Sequence, residues 1–480
     1  MATDPAHRKW PRLVIAGTHS GVGKTSMVIA IFGALQRRGL RVQGFKVGPD
    51  FIDPMYHREV TGAPSYNLDA WLMGREGVRG AFARGAAANG VSIIEGVMGM
   101  FDGRATGPEG STAEVAALVQ APVLLVVDVG GMSRSAAAIV QGYARFDPTV
   151  HVAGVVLNRV GGPRHYRLVQ TAIEAQAGVP VWGYLPWDDG LVLPERHLGL
   201  VPVEEDAAFS KVCRALGAAA ERTIDVSAII AAAQAAPALE IAQEAAMPAP
   251  AIRARVGVAR DAAFNFYYDA NLLWLAYCGA ELVEFSPLRD ARLPPDVDGL
   301  YFGGGFPEVF AKGLADNASF IGALRQAHHA GMPIYAECGG LMYLVEAIQD
   351  AAGIRYPMVG LLPGVCRLAD RLQNFGYKEV QSLRGSLLGP VGWRTRGHEF
   401  HYSVWEGRPT DASLYWTRSS HGDEQEEGYS MANLAASYVH LHFDACPQVA
   451  RSLVDNAADF RRRRQHSVAS TPHAGAGSGK

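Results

Sequence analysis

The chain has 480 residues, more than one hydrophobic core usually serves, so its length predicts two or three domains. Its 44 basic and 47 acidic residues nearly balance, which argues against a nucleic-acid partner. The five cysteines are widely spaced and form no CxxC pair, so neither disulfides nor a zinc site is expected. No apolar run approaches ~20 residues and the N-terminal segment lacks a signal-peptide core, which predicts a cytoplasmic protein without a membrane segment.

The first predicted elements, within LVIAGTHSGVGKTS, are a strand, a loop and a helix. An apolar strand at 13–16 leads into a glycine-rich turn and then into an apolar helical pattern. Gly21 and Gly23 allow the backbone to approach a phosphate closely, and Lys24 adds a cation beside the unpaired N–H groups of the helix start. Thr25 is placed to ligate Mg²⁺. This pattern predicts a site for Mg-ATP.

The predicted phosphate-binding loop is one residue longer than usual. Gly17 lies six residues before Gly23, and Thr18 occupies the position five before it. Thr18 is also counted among the candidate nucleotide-binding residues. The alternative is a chance GKT in an ordinary glycine-rich turn, which the flanking strand and helix disfavour.

Polar residues follow several later strands of this half. Strands that alternate with alanine-rich helices predict a doubly wound parallel sheet, whose ligands lie at the carboxyl ends of the strands. The residues at these strand ends are Lys46, Asp50, Asp53, Glu95, Asp128, Asn158 and Arg159. Asp50 and Glu95 are predicted to ligate Mg²⁺ together with Thr25, and Asn158 is a candidate nucleotide contact. Asp53 and Asp128 are equally compatible with helix caps or solvated loop acids.

An alanine- and proline-rich stretch divides the chain. Residues 229–252 have little periodic apolar content, so they are predicted to link a phosphate-binding domain at 1–228 to a second α/β domain at 253–463. The tail at 464–480, which contains Ser, Gly and Pro, is predicted to be disordered.

The second domain contains a predicted elbow in PIYAECGGLMYL. A strand at 333–336 meets a helix at Cys338, which Gly339 and Gly340 follow. A thiol on such a turn faces a helix start, which favours the thiolate. The following N–H groups, with those of Gly303 to Gly305, are candidate oxyanion donors. A buried structural cysteine is the alternative, but the elbow and a distant histidine favour a nucleophile.

Two histidines in YVHLHF are candidate partners of Cys338. His440 and His442 are two residues apart, so a regular strand would place them on one face and pleating cannot choose between them. A hydrogen-bonded or exposed strand histidine is the alternative for each. His398 and His401 in GHEFHYS lie close in sequence, but no third partner stands at ligand spacing, so a metal is not expected there.

The whole chain resembles the cobyrinic acid a,c-diamide synthases of corrinoid biosynthesis. The matching segments, spanning about residues 12–460, are GTHSGVGKTS, FKVGPDFIDPMYH, EGVMGMFDG, FGGGFPE, AECGGLMYL, GHEFHYS and ASYVHLHF. The N-terminal half is also similar to dethiobiotin synthetase, which shares the lengthened loop. The resemblance implies a doubly wound P-loop domain followed by an α/β domain similar to class I glutamine amidotransferases.

The resemblance also implies the chemistry. ATP would convert carboxylates of cobyrinic acid into acyl phosphates, with Lys24, Thr25 and Mg²⁺ positioning the transfer together with Asp50 and Glu95. L-Glutamine would supply ammonia in the second domain, and a closed path between the two domains would protect it. Ammonia would then displace phosphate to form the amide.

The resemblance implies that Cys338 attacks glutamine and that His440 moves the proton. His440 is preferred over His442 because YVH agrees better with the β run that precedes the histidine in related amidotransferases. The chain departs from ordinary triad amidotransferases at two positions. Their glutamate two residues after the histidine is His442 here, and the first glycine of their elbow is Ala336, so the identity of the acid stays open.

Related synthases that act on hydrogenobyrinic acid or on a nickel tetrapyrrole would carry the same motifs. A partitioning-type ATPase with a binding domain is a more distant alternative. Those ATPases carry a second lysine early in the loop, where this chain has Gly17, Thr18 and His19. The oligomeric state is left open, with a homodimer as one option.

Overall fold

The computed structural model describes residues 7–86, 90–193, 195–196, 199–200, 209–240 and 251–469. The chain divides into two compact units. The first comprises Met1–Ala246 with Tyr268–Ala270, and the second comprises Met247–Tyr267 with Asn271–Lys480.

The first unit alternates strands and helices. Its strands are β1 (His7–Arg8), β2 (Arg12–Gly17), β3 (Arg41–Val47), β4 (Tyr66–Leu68), β5 (Gly90–Glu95), β6 (Val123–Asp128), β7 (Val152–Val160), β8 (Val181–Pro186), β9 (Glu195–Arg196), β10 (Gly199–Leu200) and β11 (Leu239–Glu240). Its helices are α1 (Lys24–Arg37), α2 (Ile52–Thr61), α3 (Ala70–Gly85), α4 (Thr112–Leu118), α5 (Ser135–Phe146), α6 (Pro163–Ala177), α7 (Phe209–Thr223) and α8 (Val226–Ala235). A 3₁₀ turn spans Asp189–Leu191.

A seven-stranded parallel sheet forms the centre of this unit, in the order β4-β3-β5-β2-β6-β7-β8. β2 is buried along its whole length, because helices cover the sheet. The order reverses direction around β2, so the loop after β2 lies at the carboxyl edge between the ends of β5 and β6. A ligand is expected at such a switch point. The predicted doubly wound sheet is confirmed.

The predicted start of the linker at Ile229 is wrong. The helix α8 continues to Ala235, and it buries Ile229 and Ala233 in the core of the first unit. These residues are four apart and share one helical face, a short apolar stripe that the alanine content obscured. The strand β11 also pairs with β1. Residues 241–250 of the predicted linker lie outside the described part of the chain.

The second unit contains fifteen strands and five helices within the described residues. Its strands are β12 (Ala254–Ala259), β13 (Ala280–Phe285), β14 (Gly299–Phe302), β15 (Ile334–Glu337), β16 (Val345–Gln349), β17 (Arg355–Pro357), β18 (Leu362–Leu368), β19 (Asn374–Ser382), β20 (Arg394–His401), β21 (Ser403–Glu406), β22 (Tyr415–Ser419), β23 (Glu424–Glu427), β24 (Tyr429–Met431), β25 (Leu434–Ser437) and β26 (His440–Leu441). Its helices are α9 (Asp269–Tyr277), α10 (Ala311–Asp316), α11 (Ala318–His329), α12 (Gly339–Leu344) and α13 (Pro447–Ala469).

Three sheets organise the second unit. The first has the order β13-β12-β14-β15-β25-β24 and is parallel except for its last pair. The others have the orders β17-β16-β18-β21 and β23-β22-β19-β20-β26. The nucleophile elbow follows β15 of the first sheet, whereas the candidate histidines lie in and just after β26 of the third.

The predicted start of the disordered tail is also wrong. The helix α13 extends to Ala469, and Arg464 donates a hydrogen bond to Asp298 at 3.0 Å. Residues 470–480 of the predicted tail lie outside the described part of the chain.

Candidate active sites

The phosphate-binding loop joins β2 to α1 in the first unit. Gly21 and Gly23 adopt φ angles of 79° and 91°, a left-handed conformation that residues other than glycine rarely adopt. A Cβ at Gly21 would meet no atom within 4 Å, so the loop is open on that side. No side chain caps the start of α1, so its first N–H groups are available to an anion.

Lys24 begins α1, and its side chain returns toward the loop. Its Nζ donates hydrogen bonds to the carbonyl oxygens of Met98, at 2.6 Å, and His19, at 3.3 Å. Burial, followed by the charge of Lys46, lowers the pKa of Lys24 to about 8. Both hydrogen-bond acceptors are neutral carbonyls, an arrangement in which a phosphate would be the stronger partner.

Asn158 and Thr18 contact the loop itself. Asn158 lies in β7, and its Nδ2 donates to the carbonyl oxygen of Val22 at 2.9 Å. A Cβ on Gly23 would lie 2.1 Å from the same Nδ2, so only glycine fits beside this amide. Thr18 Oγ1 lies 2.9 Å from His19 Nδ1. Asn158 therefore braces the loop, and direct contact of Asn158 or Thr18 with nucleotide stays a prediction.

Hydroxyl, carboxylate and ammonium groups converge at Thr25. Thr25 Oγ1 donates to Glu95 Oε1 at 2.8 Å and to Asp53 Oδ1 at 3.2 Å. The buried Lys46 Nζ lies 2.5 Å from Asp53 Oδ2 and 3.2 Å from Glu95 Oε1. These groups meet because β3 and β5 are neighbours in the sheet and both end at the edge where the loop opens.

Lys46 affects the two aspartates of this cluster differently. Burial alone would raise the pKa of Asp53, but the charge of Lys46 and hydrogen bonds from Asp50 and Lys46 hold it well below its usual range. Burial and the charge of Asp53 raise the pKa of Asp50, whose Oδ2 lies 4.0 Å from Lys46 Nζ. Asp50 Oδ1 accepts the N–H of Ile52 at 2.8 Å. Asp53, rather than Asp50, therefore shares the Thr25 hydroxyl with Glu95.

The donor set fits Mg²⁺ bound to ATP. Mg²⁺ is usually held by one or two carboxylates together with substrate phosphates, and hydroxyl and carboxylate oxygens surround the start of α1. Glu95 is fully buried, and its Oε2 lies 2.7 Å from His57 Nε2. The other ring nitrogen of His57, Nδ1, lies 2.9 Å from Ser65 Oγ. His57 thus orients Glu95 from the side opposite Thr25.

The second unit places Cys338 on a strained turn between β15 and α12. Its φ is 47° and its ψ is −104°, which is unusual for a residue other than glycine. The Cys338 N–H donates to the Ser437 carbonyl at 2.7 Å, and Sγ lies 3.9 Å from the Phe400 carbonyl oxygen. A Cβ on Gly340 would lie 2.6 Å from the carbonyl oxygen of Phe302, so the turn needs glycine there. The predicted strand-to-helix elbow is confirmed.

The helix start acts on Cys338 in the predicted direction, but burial opposes it. Burial, followed by the charge of Glu308, raises the pKa of Cys338 well above its usual range, and the N–H of Gly339 only partly opposes this. Two of the expected oxyanion donors are also used elsewhere. Gly303 N–H donates to the Tyr267 hydroxyl at 2.8 Å, and Gly304 N–H donates to a backbone carbonyl at 3.2 Å. Burial therefore favours the thiol form of Cys338 over the thiolate.

A buried carboxylate lies beside His440. Glu337 Oε2 is 3.8 Å from His440 Nδ1, and both side chains are almost fully buried. Glu337 accepts hydrogen bonds from the hydroxyls of Tyr301, at 2.7 Å, and Tyr335, at 2.5 Å. It also accepts the Leu441 N–H at 3.0 Å. The residue that directly precedes the nucleophile thus contacts the strand that carries the histidine.

His442 lies in a different environment from His440. Its Nδ1 is 3.9 Å from Asp444 Oδ2, and it accepts the Asp444 N–H at 3.4 Å. The strand β26 ends at Leu441, so regular pleating does not extend to His442. The ring of His440 packs against Gly304, where an added Cβ would lie 2.6 Å from His440 Cε1. Of the two candidates, His440 is the one beside Glu337.

The GHEFHYS segment spans the end of β20 and the first residue of β21, and its Glu399 forms a buried ion pair with Lys378 of β19. Lys378 Nζ lies 2.9 Å from Glu399 Oε2, and the ring of His401 stacks on Tyr438 with centroids 3.8 Å apart. Burial, followed by the charge of His440, lowers the pKa of His398 to about 3, so this imidazole is neutral. Across the described ranges, no group of three His, Cys, Asp or Glu side chains is arranged to hold a metal.

Two family models match the chain, one in each half. The CobQ/CobB/MinD/ParA nucleotide binding domain matches residues 13–201, and the CobB/CobQ-like glutamine amidotransferase domain matches residues 255–447. The cobyrinate a,c-diamide synthase of Priestia megaterium is 44% identical over 458 residues, which cover 95% of this chain and 99% of the relative. The chain belongs to the cobyrinate a,c-diamide synthase family.

Further members of the cobyrinate a,c-diamide synthase family are similarly close over nearly their whole length. The relative from Syntrophotalea carbinolica is 45% identical, with 93% of this chain and 98% of the relative covered. The relative from Caldanaerobacter subterraneus is 43% identical, with coverage of 94% and 99%. These similarities therefore extend over both the nucleotide binding domain and the amidotransferase domain of this chain.

Sequence reasoning missed three residues at the two sites of this synthase-family chain. Glu337 was visible only as an acid inside the otherwise apolar strand before the elbow. Lys46 stands at a strand end, but the sequence does not place it in the cluster around Thr25, and no sequence pattern marks His57. A charged residue within a buried parallel strand was the available signal for Glu337 and Lys46.

The described ranges of this synthase-family chain contain no helix that combines the length and the apolar character needed to cross a bilayer.

Proposed function

We propose that this protein amidates the a and c side-chain carboxylates of cobyrinic acid, using ATP and L-glutamine. The observation that supports this most is the 44% identity to a cobyrinate a,c-diamide synthase over 95% of the chain. The two sites supply the two chemistries that such a reaction needs. One activates a carboxylate with a phosphoryl group, and the other releases ammonia from a carboxamide.

The first unit activates the substrate. A carboxylate resists nucleophiles because it is negatively charged, whereas an acyl phosphate has phosphate as a leaving group. The γ-phosphoryl group of ATP moves to a carboxylate oxygen and ADP leaves. The residues that we assign to nucleotide binding are Thr18, Gly21, Gly23, Lys24, Thr25 and Asn158. We assign Mg²⁺ to Thr25, Glu95 and the Asp50–Asp53 pair, of which Asp53 is the member bonded to Thr25. The bound Mg²⁺ would neutralise phosphate charge during transfer.

Lys24 would exchange its neutral carbonyl partners for phosphate oxygens, and the loop N–H groups would surround the phosphates. Lys46 keeps Asp53 ionised beside Thr25, so the cluster presents oxygens that are ready to coordinate a cation. Ammonia then attacks the acyl carbon, and phosphate leaves to give the amide.

The second unit releases ammonia. His440 accepts the proton of Cys338 Sγ, and the thiolate attacks the side-chain carbonyl carbon of glutamine. The C–N bond breaks, and the proton held by His440 leaves with the nitrogen as NH₃. Water then hydrolyses the thioester to glutamate and restores the thiol. Burial raises the pKa of Cys338, which supports a role for His440 as a base rather than only as an orienting group.

The two-site scheme is tested by supplying nitrogen in two forms. Purified protein with Mg-ATP and cobyrinic acid is given either glutamine or ammonium, and products are followed by mass. Cys338→Ser is expected to abolish glutamine use and to retain synthesis from ammonia. Lys24→Ala is expected to stop synthesis from both donors. Equal loss from both donors in Cys338→Ser would overturn the two-site scheme.

The substrate is tested in the same assay. Hydrogenobyrinic acid and a nickel tetrapyrrole are the alternatives, and each replaces cobyrinic acid in a parallel reaction. Two mass increments for conversion of a carboxylate to an amide, with cobyrinic acid preferred by kcat/KM, would support the proposal. Preference for either alternative would move the substrate assignment and leave the mechanism intact.

A further inference from the structure

We propose that Glu337 is the acid that positions His440 and balances its charge when it takes the proton of Cys338. This inference rests on the glutamine chemistry proposed above. The position two residues after His440, which holds a glutamate in triad amidotransferases, is His442 in this chain. The structure instead places a carboxylate, that of the residue immediately before the nucleophile, 3.8 Å from His440 Nδ1.

The geometry defines which imidazole nitrogen does which task. Glu337 Oε2 lies 3.8 Å from His440 Nδ1, so the Nδ1 edge of the ring faces the carboxylate. The Cε1 edge packs over Gly304. We assign the proton exchange with Cys338 to Nε2, the second ring nitrogen. A base whose second nitrogen is oriented by a carboxylate is the arrangement that nucleophile activation generally uses.

The carboxylate itself is held rigidly. The hydroxyls of Tyr301 and Tyr335 and the N–H of Leu441 all donate to Glu337, whose side chain is almost completely buried. The Leu441 bond ties the nucleophile strand β15 to the histidine strand β26, which belongs to another sheet. The Glu337 side chain thus bridges the elements that carry Cys338 and His440.

Other nearby acids have different partners. Glu399 is paired with Lys378 at 2.9 Å, and Asp444 faces His442. Glu427 accepts hydrogen bonds from Ser437 Oγ and the Tyr438 N–H, both at 2.6 Å. Glu337 is accordingly the carboxylate that the structure places against Nδ1 of His440.

Glu337→Gln tests the role because it keeps the size of the side chain and removes its charge. Glutamate release from glutamine is measured with the full-length protein, and we expect kcat to fall by about 100-fold, the scale of a lost acid–base contribution. KM for glutamine should change less than two-fold, since Glu337 contacts no substrate in this scheme. Synthesis from ammonia should be unchanged.

Glu337→Asp keeps the charge on a shorter side chain and should give a kcat between those of the wild type and Glu337→Gln. Glu427→Gln is the matched control, because it removes another buried carboxylate from the same unit, one bound to the chain just before β26. We expect Glu427→Gln to lower kcat no more than a few-fold. Melting temperatures of all variants separate lost folding from lost turnover.

An unchanged kcat in Glu337→Gln would overturn the inference while wild-type glutamate release still supports the proposed function. Equal losses in Glu337→Gln and Glu427→Gln would reduce Glu337 to a structural residue. If Glu337→Gln does not fold, Glu337→Asp decides, and an unchanged kcat there overturns the inference. Absence of glutamate release in the wild-type protein would instead refute the proposed function.

Discussion

Lys46→Met removes the cation at the centre of the carboxylate cluster. The Lys46 side chain is 4% exposed, with Nζ 2.5 Å from Asp53 Oδ2 and 3.2 Å from Glu95 Oε1. Methionine fills a similar volume without a charge. Thr25 and His57 would remain as hydrogen-bond partners of Glu95, but no comparable cation would remain among these contacts.

Breaking a buried ion pair by removing one partner costs about 3–5 kcal/mol. In a unit of this size, each 1 kcal/mol lowers the melting temperature by about 2–4 °C, so we expect a decrease of about 6–20 °C. The effect should depend on pH. In the wild type, Lys46 holds the pKa of Asp53 low, so its stabilisation is present above the unfolded pKa of about 4 and is lost as pH falls through the folded value.

In the Lys46→Met variant, burial without the cation raises carboxylate pKa values, so the folded variant gains protons and stability as pH falls from 8 to 5. The difference in melting temperature between wild type and variant should therefore be larger at pH 8 than at pH 5. Scanning calorimetry at both pH values measures it. Lys312→Met is the control, because Lys312 pairs with Asp316 on the surface and should cause no measurable shift. A Lys46→Met shift as small as this control, or one that grows toward pH 5, would refute the reasoning.

Three further predictions concern turnover. His440→Ala should remove most glutamate release and His442→Ala much less, because His440 faces Glu337 and His442 faces Asp444; comparison of the two kcat values decides. Gly304→Ala should lower glutamine-driven but not ammonia-driven synthesis, because the new Cβ would lie 2.6 Å from His440 Cε1. Asp50→Asn and Glu95→Gln should each raise the Mg²⁺ concentration needed for synthesis and spare glutamate release. A normal Mg²⁺ titration with a lowered melting temperature would make that acid structural, as a lost cap costs only ~1 kcal/mol.

The elements of the first unit could be predicted from sequence because their signals are local. The strand at 13–16, the glycine-rich loop and the helix follow one another without interruption, so periodicity and turn residues locate all three. The cluster around Thr25 depends instead on strand order. Lys46 meets Glu95 because β3 pairs with β5, and no local pattern gives that adjacency.

The error at residues 229–235 has a different origin. Alanine is a strong helix former, but the low apolar contrast of this segment is also typical of a linker. Two apolar positions four residues apart, Ile229 and Ala233, are enough to bury a short helix against an existing core. Composition therefore misled where the helix was short and its partner lay elsewhere in the chain.

The choice of histidine and the identity of the acid depend on one contact that sequence cannot reveal. A regular strand would place His440 and His442 on the same face, so alternation leaves both available. The strand β26 instead ends at Leu441, and the N–H of Leu441 is bound by Glu337, which is 104 positions away in the chain. The same carboxylate that accepts this N–H faces His440 Nδ1 through its other oxygen. Because the Glu337 side chain makes both contacts, a substitution of Glu337 that weakens its hydrogen bond to the Leu441 N–H should also disturb the position of His440. Both changes should lower the rate of glutamate release.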